Sequence, residues 1–136
     1  MLWIQPASAQ NALAEETARL INNIRVKLDA CGEEGLLSEP TGRRISTTAI
    51  TTRPMLTQQF LDHIDPQGRN AGMRATRAGY RWRTIGENLA AGQRTLADAV
   101  GGWLLSEGHC RNLIDPRFTE FGIAEVHASD PADPYG

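Results

Sequence analysis

Apolar side chains recur at helical spacing near the start of the chain. Leu13, Leu20, Ile21, Ile24 and Leu28 fall on one face between Ala12 and Leu28, which predicts an amphipathic helix there. Glu15 and Glu16 sit in its first turn, where the helix dipole favours carboxylates. Asp29 to Gly35 ends this helix, with Cys31 in the exit, and Pro40 and Gly42 mark a loop over 39–44. Ser46-Thr47-Thr48 and Thr51-Thr52 disfavour helix, and Pro54 breaks any helix begun before it. From Pro54 onward, Met55, Leu56, Gln59, Phe60 and Ile64 predict a second helix with the proline in its first turn. Asp65-Pro66-Gln67-Gly68 is a turn. A short helix follows over roughly 70–78 and ends at Gly79. Tyr80 to Ile85 alternates and has strand composition. Thr95 with Asp98 three residues on starts another helix, whose face is Leu96, Ala99, Val100, Trp103 and Leu104 and which ends over Ser106 to Gly108. Asp115-Pro116 is a further turn, and Thr119 to Val126 reads as a strand. Helices and short strands in mixed order, without βαβ repeats, predict an α+β fold with an antiparallel sheet.

Composition narrows the function classes. At 136 residues the chain suits one domain, and 40% hydrophobic with 22% charged residues is ordinary for a globular protein. A net charge of −2 argues against a general nucleic-acid binder. No apolar run approaches the roughly 20 residues of a membrane helix, so no integral membrane segment is expected. Ala7-Ser8-Ala9 has the small-x-small form of a signal-peptidase site. Residues 1–9 are therefore read as a signal-peptide remnant and 10–136 as a single domain, secreted or periplasmic. The end of the chain, Asp130 to Gly136, carries two Asp-Pro pairs and reads as a loop.

Few residues offer chemistry. Cys31 and Cys110 are the two cysteines; two buried thiols and a disulfide are both open to them. His127 follows a strand and reads as an ordinary surface histidine. His63 and His109 each lie at an element end beside a turn, where a cleft forms most easily. Glu87, in Gly86-Glu87-Asn88, reads as a solvated carboxylate unless partners converge on it. Glu107 lies two residues before His109, with Gly108 letting the backbone turn between them. Two imidazoles and two carboxylates suffice to hold a divalent ion. There is no HExxH pattern, no nucleophile elbow around Ser106 and no phosphate-cradling glycine loop.

Three segments taken in order carry a resemblance. They are Ala78 to Gln93 with its Gly86-Glu87-Asn88, Gly102 to Ile114 with its Ser106-Glu107-Gly108-His109-Cys110, and Pro116 to Ala124 with its Phe118-Thr119-Glu120-Phe121-Gly122. Together they resemble the bacterial branch of the CAP superfamily: cysteine-rich secretory proteins, antigen 5 and pathogenesis-related proteins. The resemblance is specific from about Phe60 to Ala124, looser over the first helix and weak between Gly35 and Met55. It implies an α-β-α sandwich with a small antiparallel sheet between helical layers, and export. It implies a cleft carrying His63, Glu87 and His109, with Glu107 standing one position from where a second acid is usual. It further implies that Cys31 pairs with Cys110 and makes zinc the first candidate ion, held by His63 and His109. Two departures stand out. Threonines and Pro54 replace an alanine-rich second helix, and the chain ends at Gly136, before the family's last strand. An exposed sheet edge there would invite a dimer.

The first functional reading is therefore a secreted module whose His/Glu cleft takes a metal and a small-molecule, lipid or protein ligand. The sterol carriage of some eukaryotic relatives is not carried over. The alternative is a metal-dependent hydrolase, in which the ion polarises water and a glutamate takes its proton. A third reading makes the four polar residues a structural network.

Overall fold

The amphipathic pattern at the start of the chain folds as α1 (Ala7–Arg25), beginning five residues before its predicted start. The structure, a computed structural model, describes residues 7–27, 30–31, 46–47 and 62–125. Ile21 and Ile24 of α1 are buried, as their spacing predicts. β1 (Ser46–Thr47) comes next in the chain. Of the expected helix from Pro54 to Ile64, only 62–64 are described; they form bends, and the remainder lies outside the described residues. The loop over 39–44, residues 1–6 of the signal remnant, His127 and the chain end at 130–136 lie outside them as well.

α2 (Ala71–Arg77) matches its prediction closely. Asn70 caps it by accepting from the Met73 amide, and Gly79 follows it at φ +82°, a conformation that costs glycine little. α3 (Leu96–Leu104) starts at Thr95, whose hydroxyl accepts from the Asp98 amide. The break over Leu105 and Ser106 is brief, and α4 (Glu107–Ile114) begins at once. Serine and glycine here were expected only to end a helix. Cys110, Leu113 and Ile114, at helical spacing and all buried, instead drive a new one. His109 thus lies inside α4 rather than after a helix end.

The expected antiparallel sheet is corrected at its one described ladder. β2 (Glu120–Phe121) pairs with β1 in parallel, Ser46 opposite Glu120 and Thr47 opposite Phe121. Tyr80 to Ile85 is not a strand but an irregular segment that runs along α2. The side chain responsible is Trp82, whose indole donates to Gly72 and Thr76 of α2. The described residues do not extend to the three-layer sandwich or to an open sheet edge.

Ile21 and Ile24 of α1, Val100 of α3, and Leu113 and Ile114 of α4 form the core, with Trp103, Leu104, Phe118 and Phe121 packed against it. Two devices tie α1 to α4. A disulfide joins Cys31, just after α1, to the fully buried Cys110, with Cα atoms 5.8 Å apart. Arg25, 1% exposed, donates to the carbonyls of Leu113, Asp115 and Phe118. No helix among the described residues is long and apolar enough to cross a membrane.

Candidate functional site

The turn before α2 sets the geometry. The buried Asp65 carboxylate accepts from the amides of Gln67 and Arg69 and from the Arg69 guanidinium at 2.7 Å. Burial pushes its pKa upward, but the Arg69 amide and guanidinium and the Gln67 amide outweigh that, so the carboxyl titrates below its ordinary value. Gly68, at φ +76°, completes the turn. It delivers the carbonyls of His63 and Arg69 to the Arg74 guanidinium of α2, at 3.0 and 2.9 Å.

Arg74 also donates to Glu87 Oε2, and the other oxygen, Oε1, lies 2.9 Å from His63 Nδ1. A carboxylate only accepts, so His63 Nδ1 donates, from a side chain that is 56% exposed. Glu87 itself is held from behind. Asn112 of α4 donates to its carbonyl and to Asn88, and Asn88 donates to the carbonyl of His109. Gly86 is required by packing: a Cβ there would meet the Phe118 ring at 2.9 Å and Asn112 Oδ1 at 3.0 Å.

His63, Gly86 and Glu87 face a cleft of about 250 Å³ that Asn70, Ala71, Gly72, Trp82 and Ile85 also line. Trp82 forms one wall. Its indole N–H donates to Thr76 Oγ1 and to the Gly72 carbonyl, and a Cβ on Gly72 would stand 2.8 Å from the ring. Only glycine at position 72 lets the tryptophan lie this close.

Of the residues expected at the site, His63 and Glu87 are brought together. His109 is tied to the Gly86-Glu87-Asn88 loop through its carbonyl, which accepts from Asn88, and its ring Nδ1 lies 2.8 Å from Ser106 Oγ. Glu107 turns along α4 to Arg111, at 2.5 Å and well exposed. Neither lines the cleft. Among the described residues no group of three or more His, Cys, Asp or Glu side chains is arranged to hold a metal ion. Arg74 places a positive charge against the Glu87 carboxylate that meets His63, which disfavours a divalent ion on that pair. Arg74, Asn88, Asn112 and the Trp82 wall escaped sequence reasoning as site members. Arg74 carries no spacing signal, being one arginine among several on and beside a short helix.

Comparison with known proteins adds a family. A model of the cysteine-rich secretory protein family, CAP, matches residues 47–133. YkwD of Bacillus subtilis (strain 168), an uncharacterized protein, is 29% identical over 122 residues, 89% of this chain. That match covers 45% of YkwD, so the chain spans less than half the length of this relative. No solved structure matches.

Proposed function

The chain belongs to the cysteine-rich secretory protein family, and from that premise we propose that it is a secreted binding module whose recognition element is the cleft between α2 and Trp82–Glu87. The observation that carries this reading is the His63–Glu87 pair lining an apolar-walled hollow, with Glu87 fixed by Arg74. Trp82 and Ile85 offer an apolar wall, and the exposed imidazole of His63 offers a polar contact. Concave sites with apolar walls and a few placed polar groups are where small ligands bind. A charge-compensated carboxylate costs less to cover with a ligand than a bare one. The Cys31–Cys110 disulfide supports export, since such bridges persist in oxidising compartments.

Zinc enters this proposal as a ligand to be tested, through His63 and His109. The described arrangement gives it no ready cage, and the reading does not depend on it. Calorimetric titration with zinc at pH 7.5 compares wild type with the His63→Ala, His109→Ala double variant; equal affinities dismiss those two residues as zinc ligands. The cleft itself is tested by ligand-observed NMR with a panel of small amphipathic fragments. Fragments that bind wild type should be released by Trp82→Ala and by His63→Ala. Binding that survives both substitutions, or its absence from wild type, defeats the proposal.

A further inference from the structure

Charge is distributed unevenly along the segment that builds this cleft. Between Asp65 and Glu87 the chain carries five arginines and no acidic residue, in a protein of net charge −2. Two of the five are committed: Arg69 to Asp65, and Arg74 to Glu87. Arg77, Arg81 and Arg83 are exposed and make no ion pair among the described residues. Their placement follows from Trp82. The indole bonds to Gly72 and Thr76, one row of α2. Met73 and Arg77 form the adjacent row one residue on, and Arg81 and Arg83 flank the tryptophan along the chain. The same stretch of chain exposes apolar side chains: Ile64 next to His63 at 49%, Met73 next to Gly72 at 52%, and Trp82 of the cleft wall at 42%.

Exposed arginines next to the tryptophan wall of an apolar hollow are complementary to a ligand that is acidic and carries an apolar knob. We propose that this face docks an acidic polypeptide segment, with one apolar side chain seated against Trp82 and Ile85 and flanking carboxylates paired with Arg77, Arg81 and Arg83. Guanidinium groups suit carboxylates through paired donors. The shape favours a peptide over a membrane, because a cleft of about 250 Å³ admits one side chain while a bilayer presents a broad surface. Nucleic acid fits less well, since Glu87 lines the cleft beside apolar side chains. The inference rests on the cleft being the recognition element and adds the chemistry of its partner.

The test uses the whole chain with its disulfide intact and a fluorescein-labelled peptide of one leucine flanked by glutamates. Fluorescence anisotropy should show saturable binding that weakens as NaCl is raised from 50 to 300 mM. The Arg77→Glu, Arg81→Glu, Arg83→Glu triple variant should bind at least about tenfold more weakly. All three side chains are exposed, so its circular dichroism and melting should match wild type, and it should keep the fragment binding of the cleft. Replacing leucine by alanine in the peptide should weaken binding severalfold, and replacing the glutamates by lysines should abolish it. If wild type binds fragments but not the acidic peptide, or the triple variant binds the peptide undiminished, this inference falls and the cleft reading stands. If neither fragments nor peptide bind, both fall. Co-sedimentation with phosphatidylglycerol vesicles in preference to the peptide overturns the inference in favour of a membrane.

Discussion

Arg25→Met removes a guanidinium while keeping most of the aliphatic stem, and its cost can be worked from the contacts. Nη1 donates to Leu113 O at 3.0 Å and Asp115 O at 3.1 Å, and Nη2 donates to Phe118 O at 3.1 Å. The Leu113 carbonyl belongs to the last turn of α4, which has no intrahelical donor left for it. The positive charge also faces the negative end of that helix. Hydrogen bonds from charged donors contribute about 1.5–3 kcal/mol each, and an acceptor left buried and unpaired costs about 1–3 kcal/mol. Asp115 and Phe118 are only half-buried, so water recovers part of the loss there. The net expectation is about 3–5 kcal/mol of lost stability, in line with breaking other buried charged contacts. For a chain of this length that lowers Tm by about 10–15 °C. Arg25→Lys should recover only part of the loss, because an ammonium cannot reach three diverging carbonyls. Equilibrium urea denaturation and calorimetry, both with the disulfide intact, measure the change. A loss below about 1 kcal/mol for Arg25→Met would show that α1 and α4 are held by the apolar core alone, and would refute this account of the clamp.

Two further outcomes follow from the same framework. The Cys31–Cys110 bridge spans a sequence separation of 79, so a Cys31→Ala, Cys110→Ala variant should lose roughly 4–5 kcal/mol by the loop-entropy estimate; an unchanged urea midpoint would contradict it. Asp65 titrates below its ordinary value in the folded chain, its burial being outweighed by the donors from Arg69 and Gln67. The stability it adds is therefore complete above the unfolded carboxyl value, near 4, and is lost as pH falls through the lower folded value. Asp65→Asn should flatten the fall of Tm below about pH 4, and a slope equal to that of wild type would rule out this role.

What was legible in the sequence is what short-range physics decides. Leu20, Ile21 and Ile24 sit at helical spacing and mark α1. Asn70 and Gly79 bracket α2, and Thr95 with Asp98 marks the start of α3, because caps and left-handed glycines act within a few residues. α4 was missed for a related reason. Ser106 and Gly108 are helix-ending residues in isolation, and only burial of Cys110, Leu113 and Ile114 against α1 and α3 makes a helix there worthwhile. The Tyr80–Ile85 alternation satisfies the strand pattern, yet the Trp82 indole finds its acceptors and a glycine-sized berth on α2 instead. The cleft divides in the same way. His63 and Glu87 were named through motifs on either side of α2, and the fold sets them 2.9 Å apart. Arg74, which holds Glu87 from its other oxygen, left no trace in spacing or composition. Its position is fixed by two carbonyls supplied by the Asp65–Gly68 turn, and Arg25 is placed likewise by carbonyls about 90 residues away. An arginine acquires a role in such a fold from where distant carbonyls converge, and that is a property of the closed chain rather than of its residue order.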